Sequence, residues 1–265
     1  MSNRDADPEK VLLERDGGVL WVRFNRPEKR NALTGPMYRQ IRSALLQAAG
    51  DDNVRVLAFA GEGDAFTAGN DLEDFATWGD YLAEGRQPPV LDLMDTVLAF
   101  EKPMMAAVRG PAVGIGTTLL PHCDLVLASE TARFALPFTR LGLVPEFGSS
   151  MLLPCLAGAV RASHALLLGE PFDRDRAVEL GLVSECCEDG QLDMLARERG
   201  RSLAALPPAA VRATRKLLRP DHERDRLRQA MEAEKQAFIA GLGSAEHREA
   251  VAAFFEKRPP DSETE

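Results

Sequence analysis

A glycine-spaced turn that leads into an apolar run constrains the fold of this chain more than any other feature. In residues 108 to 150, VRGPAVGIGTTLLPHCDLVLASETARFALPFTRLGLVPEFGSS, the glycines at 110, 114 and 116 precede the run TTLL. This pattern predicts a strand, a tight loop and a buried helix, because glycine lets two backbones approach closely. The first amides of such a helix lack carbonyl partners and lie at the positive end of its dipole. The amides near Ile115 and Gly116 are therefore candidates for binding a developing oxyanion.

The same stretch ends in VPEFG, which places one carboxylate, Glu146, in an apolar loop before another apolar helix. Burial raises the pKa of a carboxyl group, so Glu146 is a candidate general base. Both patterns also have simpler explanations. A glycine turn before a helix often serves helix packing alone, and a glutamate after proline often serves only the helix dipole.

A second small-residue turn, AFTAGNDLEDF at residues 65 to 75, follows a strand-like run at residues 54 to 60. Together with VRGPAVGIG and LGLVPEFGSS it resembles the crotonase superfamily of acyl-CoA enzymes, the enoyl-CoA hydratase/isomerase group. The similarity extends from NRPEKRNAL, beginning at Asn25, to FFEKR, beginning at Phe254. The resemblance implies an α/β fold, the ClpP/crotonase-like spiral of ββα units with a C-terminal helical trimerisation region. It also implies an acyl-CoA thioester substrate, a homotrimer or dimer of trimers, and no cofactor or metal, since coenzyme A is part of the substrate.

The amino-acid composition favours one substantial core. With 265 residues, 45% of them hydrophobic, we expect a core domain over residues 1 to 200. A helical region with an acidic tail should follow over residues 201 to 265. The net charge of -9 argues against nucleic acid as a partner, because phosphate binding needs clustered Lys and Arg.

Cysteine spacing and apolar segments give expectations about location. The cysteines at 123, 155, 186 and 187 have neither zinc-site spacing nor a secreted framework, which favours reduced thiols in the cytoplasm. The N-terminal MSNRDADPEK lacks the apolar core of a signal peptide. The longest apolar region, residues 104 to 128, is interrupted by charged residues and prolines, so no membrane span is expected.

Hydrophobic periodicity predicts short strands alternating with helices in the first half of the chain and helices alone from about residue 147. Strands are predicted at residues 11 to 15, 19 to 24, 54 to 60, 104 to 108, 125 to 128 and 133 to 135, the first two joined as a hairpin by DGG. Helices are predicted at residues 36 to 49, 71 to 84, 90 to 100, 147 to 156, 159 to 168, 173 to 180, 191 to 205, 207 to 218, 222 to 240 and 244 to 256.

The resemblance also implies roles for individual residues. The family's oxyanion hole consists of two main-chain amides, which fall here on Asn70 and Ile115. Because both amides must bind one oxygen, we expect these two residues in neighbouring loops. Arg30 and Lys257 are the expected partners of the CoA phosphates, and the Phe254–Phe255 pair is expected at a subunit interface. The positions that match acyl-CoA contacts are Lys29, Arg30, Ala32, Ala68, Gly69, Asp71, Leu72, Gly116, Phe138, Leu141, Phe254 and Lys257.

Departures from the family pattern bear on the reaction. Hydratases of the family use two glutamates to activate water, but Thr118 and Phe138 occupy those positions here. Glu146 instead matches the single glutamate of the Δ3,Δ2-enoyl-CoA isomerases. The resemblance therefore implies conversion of a 3-enoyl-CoA to a 2-trans-enoyl-CoA with Glu146 as the base.

Two other functions stay open from the sequence. A hydration with a relocated acid, or another enolate reaction, would need a further acid or base at the site, for which the candidates are Glu62, Asp64, Asp74 and His122. A non-catalytic acyl-CoA-binding protein would keep the fold and lose the base, and the presence of Glu146 argues against it.

Overall fold

The computed structural model describes residues 10 to 75, 77 to 256 and 258, apart from the side chains of Asp74, Asp80, Phe254 and Phe255. The strands within these residues are β1 Val11–Asp16, β2 Val19–Phe24, β3 Val56–Gly61, β4 Met104–Val108, β5 Pro111–Val113, β6 Leu125–Ser129, β7 Arg133–Ala135, β8 Phe172–Asp173 and β9 Glu185–Cys187. The α-helices are α1 Gly35–Gly50, α2 Leu72–Phe75, α3 Trp78–Ala83, α4 Pro89–Ala99, α5 Ile115–Thr118, α6 Ser149–Ala157, α7 Ala159–Leu168, α8 Arg174–Glu179, α9 Leu192–Ala205, α10 Pro208–Leu218, α11 Asp221–Gly241 and α12 Ala245–Glu256.

The strands form two sheets. The larger sheet has the order β1-β2-β3-β4-β6-β9, in which β1 and β2 are antiparallel and all later pairs are parallel. The smaller sheet has the order β5-β7-β8. Helices between parallel strands give the α/β class that the sequence predicts.

The hairpin between β1 and β2 follows from its turn residues. Gly17 and Gly18 have φ angles of 55° and 86°, and Asp16 pairs with Val19 across the turn. A two-residue hairpin turn with both φ angles positive is the geometry that glycine pairs favour. The predicted DGG hairpin is confirmed.

The larger sheet is covered on both faces, as its side-chain alternation requires. In β3, Val56 and Ala58 pack in the same apolar cluster as Leu192 of α9. Leu57 and Phe59 point to the opposite face and join the main core with residues of α1 and α4. The strand thus contributes to two apolar layers, and the site lies on the side of the main core.

The predicted elements agree with the structure within about two residues, with two exceptions, which are three unpredicted short strands and one divided helix. The short strands β5, β8 and β9 were not predicted, because two or three residues are too few to show a periodic pattern. The predicted helix over residues 71 to 84 is two short helices, α2 and α3. The helix predicted to begin at residue 147 begins at Ser149.

The expected division at residue 200 falls inside α9. This helix packs against the larger sheet through Leu192 and Ala196 before that point and through Ala204 after it. The division into a core domain and a C-terminal region remains a prediction.

Two further properties concern the described residues alone. No helix among them is long and apolar enough to cross a membrane. The four cysteines are free thiols, with Cys123 buried and Cys155 and Cys186 exposed.

Candidate active site

The turn around Asn70 is held by main-chain hydrogen bonds from an earlier segment. Leu33 donates its N–H to the carbonyl of Gly69 at 2.8 Å, and its carbonyl accepts the N–H of Asp71 at 2.9 Å. This parallel bridge uses the peptide groups on either side of Asn70, so the N–H of Asn70 points away from Leu33. We call residues 67 to 71 the first amide turn.

The turn before α5 also presents main-chain N–H groups. Gly114, with φ 53° and ψ −117°, donates its N–H to the carbonyl of Ala135 at 2.9 Å and leads directly into Ile115, the first residue of α5. The first N–H groups of a helix have no carbonyl within it. Among the described residues, no hydrogen bond uses the main-chain N–H of Asn70 or Ile115. We call residues 114 to 116 the second amide turn.

The two amide turns lie against each other. Thr67 donates its N–H to the carbonyl of Pro111 at 2.9 Å, and Val113 donates to the carbonyl of Thr67 at 3.0 Å. Gly69 has φ +89°, and a Cβ atom there would lie 2.7 Å from the carbonyl oxygen of Val113. Only glycine permits this approach, and the prediction that Asn70 and Ile115 lie in neighbouring turns is confirmed.

Glu146 lies in the wall of a largely apolar cavity formed by α3, α4, α11 and the loop that precedes α6, and charged side chains of α4 and α11 also line this cavity. Its side chain is 6% exposed, and its Oε1 has no hydrogen-bond partner among the described residues. The apolar side chains that line the same cavity include Trp78, Leu91, Met94, Phe147, Met231 and Phe238.

The environment of Glu146 changes its acidity. Burial, with a contribution from the charge of Glu234, raises the pKa of Glu146 to about 8. About one carboxyl in ten is then ionised at pH 7, and the ionised form is a stronger base than a solvated glutamate. Glu146 can therefore accept a proton and return it near neutral pH.

The backbone after Glu146 has an unusual conformation. Phe147 and Gly148 both have positive φ angles, 61° and 73°. For a non-glycine residue this conformation costs about 1–2 kcal/mol, so the surrounding structure must hold it. We call residues 146 to 148 the Glu146 turn.

One support of the Glu146 turn is His122. Its Nε2–H donates to the carbonyl of Phe147 at 2.8 Å, and the two rings stack with centroids 4.0 Å apart. Burial lowers the pKa of His122 to about 4. The imidazole is therefore neutral near pH 7, and its ring stabilises the positive φ of Phe147.

The second support of the turn is Glu234 of α11. Its Oε2 accepts the N–H of Gly148 at 2.6 Å, and its Oε1 accepts the N–H of Ser150 at 2.8 Å. A Cβ atom at Gly148 would lie 2.2 Å from Cδ1 of Leu227, so α11 packs directly on the turn. Glu234 thus caps the N-terminus of α6 from a different helix.

Phe147 connects the Glu146 cavity with the second amide turn. Its ring lines both that cavity and a small apolar cavity bounded by Ile115 and Gly116. Thr118, in the same short helix as these two residues, is buried, and its hydroxyl has no partner among the described residues. The two amide turns and Glu146 therefore belong to one region of the core.

The segment predicted to contact CoA lies beside the first amide turn. Ala68 donates its N–H to the carbonyl of Arg30 at 2.8 Å. Lys29 and Arg30 are exposed, and within the described residues neither side chain makes a hydrogen bond or ion pair. Ala32 is half-buried, as is Leu72, which begins α2.

Asp71 has a structural role in this segment. Its Oδ2 accepts a hydrogen bond from Arg26 at 2.5 Å, and its Oδ1 accepts the N–H of Glu73 at 3.0 Å. The carboxylate thus fixes the turn, and a contact between Asp71 and substrate remains a prediction.

The remaining predicted contacts lie elsewhere. Phe138 is buried and Leu141 is half-buried in the turn under α12, where Leu141 accepts a hydrogen bond from Nδ1 of His247 at 2.7 Å. Neither is among the described residues that wall the Glu146 cavity. Lys257 and the side chain of Phe254 lie outside the described residues.

The alternative acids and bases are placed as follows. Glu62 pairs with Arg23 at 3.2 Å, Asp64 is exposed, and the side chain of Asp74 lies outside the described residues. His122 supports the Glu146 turn through Phe147, as described above. None of the described candidates, Glu62, Asp64 and His122, is among the residues that line the Glu146 cavity.

Sequence reasoning missed Glu234. Its signal lies in α11, where Leu227, Met231, Glu234 and Phe238 are spaced by four, three and four residues along one buried stripe. A carboxylate in an apolar helical stripe indicates a buried partner. The periodicity gives no indication of what that partner is.

Comparisons with known proteins show the family of this chain. Residues 14 to 265 match the family model described as Enoyl-CoA hydratase/isomerase. The chain is 35% identical over 252 residues to rat enoyl-CoA delta isomerase 2, covering 94% of this chain and 64% of the rat protein. It is 33% identical to 2,3-dehydroadipyl-CoA hydratase of Escherichia coli K12, covering 95% and 98%.

A solved structure of an enoyl-CoA hydratase/isomerase from Pseudoalteromonas atlantica T6c is 38% identical, with a TM-score of 0.89, and covers 96% of this chain and 99% of that one. The spiral α/β architecture is therefore the crotonase fold. The chain belongs to the enoyl-CoA hydratase/isomerase family. The chain spans less than two thirds of the length of the rat relative, so the match alone does not show that the two proteins share an activity.

Proposed function

We propose that this protein isomerises a 3-enoyl-CoA to a 2-trans-enoyl-CoA, with Glu146 as the single acid and base. The observation that carries the proposal is the buried, unpaired Oε1 of Glu146 in an apolar cavity. The raised pKa of this group and the similarity to rat enoyl-CoA delta isomerase 2 support it.

In the first step, ionised Glu146 removes a proton from C2 of the substrate. The C2–H bond breaks, an O–H bond forms on Glu146, and the electron pair delocalises over the alkene and the thioester. Most of the negative charge develops on the thioester oxygen. The free N–H groups of Asn70 and Ile115 are the donors that we assign to this oxygen, and such donors commonly supply the largest stabilisation.

In the second step, protonated Glu146 returns the proton to C4. The O–H bond breaks, the C4–H bond forms, and the double bond moves from C3–C4 to C2–C3. One carboxyl group suffices if both carbons lie on the same side of it. Apolar side chains such as Trp78, Met94 and Phe238 form part of the cavity wall, and apolar surface beside the dienolate limits the approach of water as a rival proton donor.

Hydration is the rival within the family, since 2,3-dehydroadipyl-CoA hydratase is among the relatives. Two glutamates activate water in the hydratases, and the described residues contain two buried carboxylates, Glu146 and Glu234. Both oxygens of Glu234 accept main-chain N–H groups. Glu234 is thus committed to the backbone, and this favours the single-base reaction over hydration.

We propose further that Lys29 and Arg30 contact the phosphates of CoA, because both side chains are exposed beside the first amide turn. Assembly as a trimer or dimer of trimers also remains our proposal. Exposed apolar residues on α7 and α10, Val160 at 84% and Leu217 at 81%, support a subunit interface.

The test is the variant Glu146→Gln, which keeps the shape of the side chain and removes the base. We expect isomerisation of a 3-enoyl-CoA to fall by about 10²–10⁴-fold, as for other lost general bases. Binding of a saturated acyl-CoA, which has no double bond to move, should stay nearly unchanged in calorimetry.

The matched control is Glu223→Gln, which removes an equal charge from an exposed position on α11. It should keep wild-type isomerisation. Substantial isomerisation by Glu146→Gln would contradict the proposal, because another residue would then move the proton.

A further inference from the structure

We propose that Glu234 is the positioning residue of the base: its carboxylate holds the Glu146 turn in place and sets a second negative charge beside Glu146. The inference deepens the proposed function and rests on it for its kinetic part.

The positioning argument rests on the two hydrogen bonds at the start of α6. Gly148 donates to Glu234 at 2.6 Å and Ser150 at 2.8 Å, one N–H to each carboxylate oxygen. Gly148 is the residue next but one after Glu146, and both residues between Glu146 and α6 have positive φ angles. A two-pronged contact fixes both the position and the rotation of this turn, and thereby the direction of the Glu146 side chain.

Glu234 is itself buried, with 7% exposure. A helix face that only packs against the core favours leucine over glutamate. A buried carboxylate such as that of Glu234 therefore needs hydrogen-bond partners. The partners of Glu234 are main-chain N–H groups, which do not depend on the side chains of the turn. What the carboxylate of Glu234 adds is its negative charge.

The charge acts on Glu146 because both groups line one apolar cavity. Two like charges in such a cavity disfavour each other, so the negative charge of Glu234 strengthens Glu146 as a proton acceptor. The pKa of Glu146 is raised mainly by burial and then by Glu234. Burial also raises the pKa of Glu234, whereas hydrogen bonds from the side chain and main chain of Ser150 and from the main chain of Gly148 act to lower it.

The other charged groups around the cavity have their own partners. Asp95 of α4 accepts from Gln87 at 3.3 Å, Glu232 pairs with Lys235 at 3.4 Å, and Arg228 pairs with Asp225 at 3.0 Å. From the side of the Glu146 turn, His122 is neutral near pH 7. The sequence of α6, SSMLLPCLA, contains no charged residue. The pKa of Glu146 is raised by burial and by the charge of Glu234, so Glu234 is the charged group to which Glu146 responds.

The experiment compares Glu234→Gln with Glu234→Asp. Glu234→Gln removes the charge and keeps the length, whereas Glu234→Asp keeps the charge and shortens the reach. The protonation of Glu146 is followed by infrared spectroscopy of the buried carboxyl C=O band, assigned by its loss in Glu146→Gln. This readout needs no substrate.

We expect the titration midpoint of Glu146 to fall by about 0.5 to 1 pH unit in Glu234→Gln and to stay within about 0.3 in Glu234→Asp. The midpoint in the pH profile of kcat/KM for a 3-enoyl-CoA should move with it in Glu234→Gln. In both variants kcat should fall roughly 3- to 30-fold with KM changed less than about threefold, because the base is displaced while binding surfaces remain.

The control is again Glu223→Gln on the same helix, which should leave the midpoint unchanged. If the midpoint in Glu234→Gln stays at the wild-type value while the melting temperature falls, Glu234 is only a helix cap and the inference is wrong. An equal shift in Glu223→Gln would also overturn it. A wild-type protein that does not isomerise 3-enoyl-CoA would refute the proposed function, while a shifted infrared midpoint would still support the coupling of the two glutamates.

Discussion

The amide turns and the Glu146 turn are held in place by different kinds of contact. The two amide turns are fixed to each other and to residues 29 to 33 mainly by main-chain hydrogen bonds, and the side chains of Thr67 and Asp71 add hydrogen bonds within the first turn. The Glu146 turn is fixed by two side chains from distant parts of the chain, His122 and Glu234. The amide turns present main-chain N–H groups, which are available whatever the side chain is. The Glu146 turn instead orients one particular side chain.

This difference predicts where substitutions act. The amide turns should fail when the backbone is forced apart and should tolerate changes of side chain at positions other than Thr67 and Asp71, whose side chains bond the first turn. The Glu146 turn should respond to the loss of individual side-chain contacts and to pH.

The largest effect is expected from Gly69→Ala. The added Cβ would lie 2.7 Å from the carbonyl oxygen of Val113 at a φ of +89°, so the amide turns must separate. We expect isomerisation to fall more than about 100-fold and the free energy of unfolding to fall by about 2–4 kcal/mol, measured by kinetics and urea denaturation. Gly158→Ala, at φ +80° with open space around it, is the control and should lower stability by about 1 kcal/mol with activity retained. Activity near wild type in Gly69→Ala would show that the amide turns need not touch.

The second effect concerns pH. Because the pKa of Glu146 is raised to about 8, its basic form is scarce in acid and complete in alkali. We expect kcat/KM for a 3-enoyl-CoA to rise about tenfold per pH unit below the midpoint and to level off above it, so that the value at pH 6 is about one hundredth of the plateau. A rate that is flat between pH 6 and 8 would mean that Glu146 is not the titrating base.

A smaller effect is expected from His122→Phe, which keeps a ring stacked on Phe147 and removes the hydrogen bond to its carbonyl. An unpaired buried carbonyl costs about 1–3 kcal/mol, and we expect kcat to fall about tenfold as the Glu146 turn loosens. The pH midpoint should not move, since His122 is neutral in this range. The same change at the exposed His164 on α7 is the control. If His122→Phe and His164→Phe lower kcat equally, His122 does not support the Glu146 turn in the way described.

The smallest effect is expected from Thr118→Val. The hydroxyl of Thr118 is buried without a partner among the described residues, so replacing it with a methyl group of similar size removes an unfavourable group. Isomerisation should stay within about threefold of wild type, and the free energy of unfolding should be unchanged or raised by up to about 1 kcal/mol. A tenfold loss of activity would assign the hydroxyl a catalytic part.

The two kinds of region also differ in how far the sequence predicts them. The amide turns depend on glycines within a few residues of Asn70 and Ile115, and a local motif shows such glycines directly. Their contact was predicted because both N–H groups were expected to serve one oxygen, and the bridge between Thr67 and Ala112 confirms it.

The Glu146 turn could be predicted only in part. The sequence identifies Glu146 and an apolar neighbourhood, but the carboxylate that supports the turn lies 86 residues from Gly148 along the chain. Periodicity places Glu234 on the buried face of α11 and does not say which loop that face covers. The left-handed conformation of Phe147 was missed for the same reason, because the tertiary contacts of His122 and Glu234 override its local preference.

In the proposed reaction one carboxylate moves a proton between two carbons, and no second carboxylate activates water. The most direct measurement is a single assay of the wild-type protein with two substrates, following conjugation of a 3-enoyl-CoA and hydration of a 2-trans-enoyl-CoA of equal chain length. We expect conjugation with a kcat of roughly 1–10³ s⁻¹ and hydration at least about 100-fold slower, because Glu234 is bound to the backbone and a lost acid or base costs about 10²–10⁴-fold. Hydration as fast as conjugation would contradict the account.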